Sequence, residues 1–155
     1  MFFNALEGEK LLVRGAPLRG RIGQPSVPHS LNPDARYYVG LKIGRQSYDM
    51  LVVDFCGNIR ARRLENHAFP TPQGTKDFVK SALPSLLRSA RVSKSRISGT
   101  GVAMPSQLLQ WADDFDASQT EMDAWREFDA QSQLASVLPT PILVEKDGTA
   151  ACRAE

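Results

Sequence analysis

Three β-prone runs in immediate succession constrain this chain more than any other feature: YYVGLKIG (37–44), SYDMLVVDF (47–55) and NIRARRLENHAF (58–69). The first is apolar and interrupted only by Gly40 and Gly44, the second is rich in β-formers, and the third alternates Ile59, Ala61 and Leu64 with arginines as an exposed-face strand does. Asp54-Phe55-Cys56-Gly57 reads as a four-residue turn with glycine where a positive φ is useful. Three consecutive strands joined by tight turns make an antiparallel meander.

The next segment changes period. From 71 to 91, apolar residues at 78, 79, 82, 83, 86, 87 and 90 form the stripe of an amphipathic helix. Thr71 is its expected N-cap and Pro72 its first residue. Pro84 is expected to kink or split it, because proline removes a backbone donor and crowds the preceding turn. RISGTGVAMP (96–105) reads as a fourth, buried strand. Residues 106–130, acidic and holding both Trp111 and Trp125, read as a long surface excursion with short helical pieces. A helix from about Ala130 to Val137, a strand at PILVE and a helix opening at DGTAACRAE complete the order βββ-α-β-α-β-α. That order predicts a mixed five-stranded sheet covered by helices, and it is consistent with an α/β half-domain of the ribonuclease-H-like, actin-like ATPase type.

Residues 1–35 have a different texture. LLVRGAPLRGRIGQPSVPHSLNPDA is too punctuated by proline and glycine for a helix and reads as a loose hairpin or arm, preceded by a helix ending near Gly8. Two domains are therefore expected, an arm over 1–35 and a lobe over 36–155. At 155 residues with 42% apolar content, the chain can bury an ordinary core, and it has no apolar run of membrane-spanning length. Without a secretory n-region and h-region, a cytoplasmic location with no membrane partner is the expectation. Net charge is only +2, but residues 60–96 carry nine Lys/Arg against two acids and residues 113–129 seven acids against one Arg. Lacking interleaved aromatics, the basic stretch reads as a solvated helix face. Cys56 and Cys152 read as reduced, partly buried residues; His29 and His67 are isolated, and no metal-ligand spacing occurs.

Several blocks resemble the ROK family of repressors, open reading frames and sugar kinases. VGLKIGRQSYDMLVVDFCG is similar to the family's VGIDIGGTKIRAALVDLDG, GTGVAMPS to its GIGAPG-type strand end, and PILVEKDGTAACRAE to PVxVENDANAAALAE. WREFDAQSQLASVLPTPILVE is similar to the approach to that last motif, and the arm resembles the end of a winged helix-turn-helix with its wing. The blocks occur in family order across residues 36–155.

The resemblance implies a first hairpin that clamps nucleotide phosphates through Gly44, Arg45 and Gln46, with a strand carboxylate organising Mg²⁺. Lys42 occupies the carboxylate's position, either as an ordinary strand lysine at a sheet edge or as a direct phosphate partner. Asp49 and Asp54 read as no obvious substitutes. The resemblance also implies a sugar site at Pro105, Glu145, Lys146 and Asp147, with Asp147 the general base in kinases; by residue type alone, Asp147 suits a helix cap better than catalysis. Lys146 stands in place of the family's Asn, and Gly148 in place of its Ala. Arg14, Arg19 and Arg21 would contact the DNA backbone from the wing.

Three functions follow as expectations. One is a truncated sugar-responsive regulator that binds a hexose or derivative without phosphorylating it, partnered by DNA through the wing in a longer form and by a second copy as a homodimer. The second is a sugar kinase, the only reading that brings ATP and Mg²⁺ as cofactors. The third is an inactive fragment that self-associates through an uncovered face.

Overall fold

A computed structural model of the chain describes residues 2–18, 26–105 and 119–154, with side chains from Asn4 and, in the last segment, from Asp123. The expected positions Arg19, Arg21 and Trp111 lie outside the described residues.

The arm comprises α1 (Phe2–Gly8), β1 (Leu12–Arg14) and β2 (His29–Leu31). β1 and β2 pair antiparallel with Leu12 opposite Leu31, and a bridge between Leu18 and Ser26 extends the hairpin. Glu7 ties helix to hairpin, accepting from Arg14 Nε at 2.7 Å and lying 2.9 Å from His29 Nε2. Burial alone would raise the Glu7 pKa, but these two partners hold it below the usual range.

The lobe is one mixed sheet of β3 (Tyr37–Ile43), β4 (Ser47–Asp54), β5 (Ile59–Asn66), β6 (Ile97–Met104) and β7 (Ile142–Lys146). Its spatial order is β5-β4-β3-β6-β7, with the meander antiparallel and β6 and β7 parallel to β3. β3 is thus the central strand, so Lys42 does not lie at a sheet edge: parallel pairing with β6 sets Lys42 beside Ala103, far along the chain, which local pattern does not reveal.

One face of the sheet carries the core. Along β3 and β4 burial alternates, and Val39, Leu41, Ile43, Tyr48, Met50 and Val52 all point to this side. α2 (Pro72–Ala90) lays Phe78, Val79, Ala82, Leu83, Leu86 and Leu87 on it. Each such side chain contributes about 1.5–3 kcal/mol when fully buried. Thr71 caps α2, its hydroxyl accepting from Gly74 N at 2.9 Å, as its sequence predicts. α2 runs unbroken through Pro84. The carbonyl that proline leaves without its helical donor belongs to Lys80, and both residues are exposed, where water can substitute.

The acidic excursion also differs from expectation. Within it α3 (Gln119–Arg126) delivers Trp125 to the core, where its indole donates to the Pro70 carbonyl at 2.7 Å and meets Phe128 edge-on at 4.9 Å. α4 spans Ala130–Leu134, shorter than expected, with Asp129 as its N-cap and Leu134 fully buried. α5 (Asp147–Ala154) follows β7 directly. Both cysteines are exposed, contrary to the expected partial burial: Cys56 stands in the β4–β5 turn and Cys152 on α5, a helix with no buried residue.

The arm joins the lobe at the amino end of β3. Asp54 there is shut from solvent, accepting from the amides of Cys56 (2.9 Å) and Asn58 (3.0 Å) and from Arg60 Nη1 (3.3 Å). Arg60 also reaches Asp34 at 3.6 Å, and Asp34 accepts from the Tyr37 hydroxyl. Phe55 N donates to Pro33 O at 3.1 Å, so the β4–β5 turn grips the linker. Asp54 keeps a lowered pKa although burial opposes it, because Asn58, Arg60 and Cys56 all stabilise the anion.

Candidate functional site

The parallel strands β3, β6 and β7 all end at one edge of the sheet, where open α/β sheets bind ligands. Lys42 pairs with Ala103 and Ala103 with Glu145, so the two sequence-predicted half-sites stand level across three strands.

On the β3 side, Gly44 N donates to Ser47 O at 2.9 Å and closes the turn that carries Arg45 and Gln46, both exposed. A Cβ at Gly44 would lie 2.9 Å from the Ser47 carbonyl oxygen, so the turn requires glycine there. On the β7 side, Pro105, Glu145 and Lys146 line one groove with Met104, Thr149 and Arg153. Pro105 is buried, Lys146 exposed, and Glu145 half-buried with Arg153 at 3.8 Å. Asp147 does not line that groove. It is the first residue of α5, and its Oδ1 accepts from Gly148 N at 2.8 Å, a first-turn contact of the capping kind.

Among the described residues, the sheet face opposite the core is covered at this edge only in part, by α5. A cavity of about 380 Å³ is floored by Gly40, Leu51, Gly101 and Leu143 and rimmed by Lys42, Asp49, Glu145 and Arg153. Asp49 is the residue sequence reasoning undervalued: seven positions after Lys42, it lies directly opposite it in the β3–β4 register. The signal was available in the turn, since closing the hairpin at Gly44–Ser47 fixes that pairing. Arg62, also overlooked, holds both Asp49 oxygens, through Nε at 2.9 and 3.2 Å and through Nη2. Its pKa is raised by Asp49. Arg14, the described member of the expected DNA-contacting set, is engaged with Glu7.

No family model matches the chain, and no curated protein does. Solved structures do. A ROK hexokinase from Thermus thermophilus superposes with a TM-score of 0.56 at 20% identity, covering 77% of this chain and 36% of that one. A ROK family transcriptional regulator, a homologue of the E. coli MLC protein, superposes with a TM-score of 0.60 at 11% identity, covering 99% of this chain and 38% of that one. The fold is that of ROK proteins. The chain spans a little over a third of the length of these two ROK structures. No described helix is long and apolar enough to cross a membrane.

The residues present do not fit a ROK-type magnesium-nucleotide half-site. At the position of the family's carboxylate stands an exposed lysine, and the nearest carboxylate, Asp49, has both oxygens taken by Arg62. Among the described residues no three His, Cys, Asp or Glu side chains gather to share an ion.

Proposed function

We propose that this chain is the arm and first lobe of a sugar-responsive transcriptional regulator of the ROK type, one that holds a sugar without phosphorylating it. The observation that carries this reading is the extent of the two likenesses. The regulator matches along 99% of the chain, arm included, whereas the hexokinase matches along 77%, an extent the lobe alone would account for. Lys42 adds to it, because a cation in place of a metal-holding carboxylate removes what a kinase needs while leaving the sugar side untouched.

In this reading Lys146 and Glu145 contact the sugar's polar groups in the groove that Pro105 floors, and Asp147, outside that groove at the start of α5, accepts hydrogen bonds from sugar hydroxyls that extend past it. Lys146 is a donor-only cation, so it favours acceptor oxygens where the family's Asn serves either role. Gly44, Arg45 and Gln46 keep the form of a phosphate-facing turn with no nucleotide to serve. Arg14, Arg19 and Arg21 contact DNA phosphates from the wing in a longer form of the protein, with a homodimer as its assembly.

The test is a thermal-shift and NMR screen with hexoses and their derivatives at high concentration, repeated with Asp147→Ala. A binder lost in the variant supports the reading; no binder at any concentration counts against it. A second reading, a ROK sugar kinase, is favoured by Asp147 alone, the residue matching the family's general base. ADP release above background with any hexose would establish that alternative.

A further inference from the structure

Among the described residues, the two ring nitrogens of His67 are the only side-chain N or O atoms sealed from solvent that have no hydrogen-bond partner. His67 stands directly behind the Gly44–Ser47 turn. Its backbone N–H, just past the end of β5, donates to Gln46 O at 2.9 Å and so pins the turn from the neighbouring strand. Its ring lies 4.1 Å from the Tyr48 ring, tilted by 44°. Tyr48 is itself fixed, stacked on Phe78 at 5.3 Å and linked through its hydroxyl to both the N–H (3.1 Å) and the carbonyl (3.3 Å) of Thr71.

We propose that His67 is a positioning residue for the Gly44–Ser47 turn, and that the protonation state of its ring is coupled to the arrangement of the turn. A neutral imidazole needs one donor contact and one acceptor contact, whereas an imidazolium presents two donors and a charge. Every charged or titratable group around the ring is already engaged or poorly placed to receive them. Glu65 on β5 is paired with Arg63 at 3.0 Å, Asp77 on α2 accepts from Gln73 at 2.9 Å, and the Tyr48 hydroxyl is held by Thr71. Two groups beside the ring favour the proton, the backbone of Ser47, within the turn itself, and the Glu65 carboxylate. A charged ring therefore pulls differently on the Ser47 backbone than a neutral one, and the backbone that moves with it is the one that holds Gln46.

Burial pushes the His67 pKa below the ordinary His range, with the Ser47 backbone and Glu65 opposing it. The transition accordingly falls on the acid side of about pH 6.5. Its bearing on ligand binding rests on the function proposed above; the motion of the turn is tested without any ligand.

The experiment is an NMR titration of the full chain from pH 8 to the onset of acid unfolding, following the His67 ring protons and the amides of Gly44, Arg45, Gln46 and Ser47. The expected result is a shift of the turn amides with the same midpoint as the His67 ring, and turn amides that stay flat in His67→Gln. Should that variant fail to fold, coincidence of midpoints in the unaltered chain decides. Turn amides that stay still through the folded range, that move at a midpoint other than that of His67, or that still titrate in His67→Gln overturn the proposal.

Discussion

Lys42 and Asp49 stand directly opposite each other across the β3–β4 ladder, on the sheet face away from the core. Opposite charges in that position attract, but Arg62 holds Asp49 in a two-pronged grip, so the carboxylate belongs to β5 more than to β3. The edge of the sheet where a nucleotide's metal would be organised is therefore either cationic or already neutralised.

Magnesium-ATP should leave the melting temperature unchanged. A ligand at ten times its Kd stabilises by about 1.4 kcal/mol, which moves the midpoint of a domain this size by several degrees. A differential scan with 10 mM of the complex is the check, and a clear upward shift would contradict the reading of Lys42.

Acid should unfold the protein through Asp54. Its folded pKa is depressed, so its contribution is fully present above the unfolded value of about 3.9 and is lost as pH falls through the folded value. Asp54→Asn should flatten that acid limb in urea titrations. At neutral pH it should cost about 1–3 kcal/mol, because Arg60 loses its anion.

Trp125→Phe should destabilise by about 1–3 kcal/mol, since the Pro70 carbonyl is left in the core without its donor. Urea unfolding monitored by circular dichroism measures this. A neutral result would mean that the excursion does not dock as described.

Gly44→Ala forces a methyl against the Ser47 carbonyl and should cost about 1–3 kcal/mol while shifting the turn amides in NMR spectra.

The apolar sheet face that the described residues leave partly uncovered should drive weak self-association. Leu143, 61% exposed, sits beside Gly101 and the half-buried Leu51 on that face, and Leu143→Lys should lower the apparent mass in sedimentation. A compact monomer at every concentration would count against it.

How far the sequence could be read depended on the range of the interaction. The meander, the Thr71 cap and the α2 stripe are local, and they stand where turn length, capping chemistry and period put them. The place of Lys42 on the central strand depends on pairing with distant β6, where its partner is Ala103, and no local window of sequence contains both. Trp125 was hidden by its acidic neighbours, although its spacing from Phe128 is that of one helix face. In the candidate site the turn at Gly44 was legible because glycine has a steric reason to be there. Asp147 was not, because capping and sugar contact ask for the same side chain.

The central strand carries one more implication. Linker and candidate site sit at its two ends, with Tyr37 beside the Asp34 joint and Ile43 leading into the turn. Seven residues at ~3.3 Å each make a ruler of roughly 20 Å. Since β3 is laced to β4 on one side and β6 on the other, it cannot stretch or slip to absorb a disturbance. A displacement of one end is resisted by both neighbouring strands along the whole ladder, except at the Tyr37/Tyr38 irregularity against β6, where the linker enters.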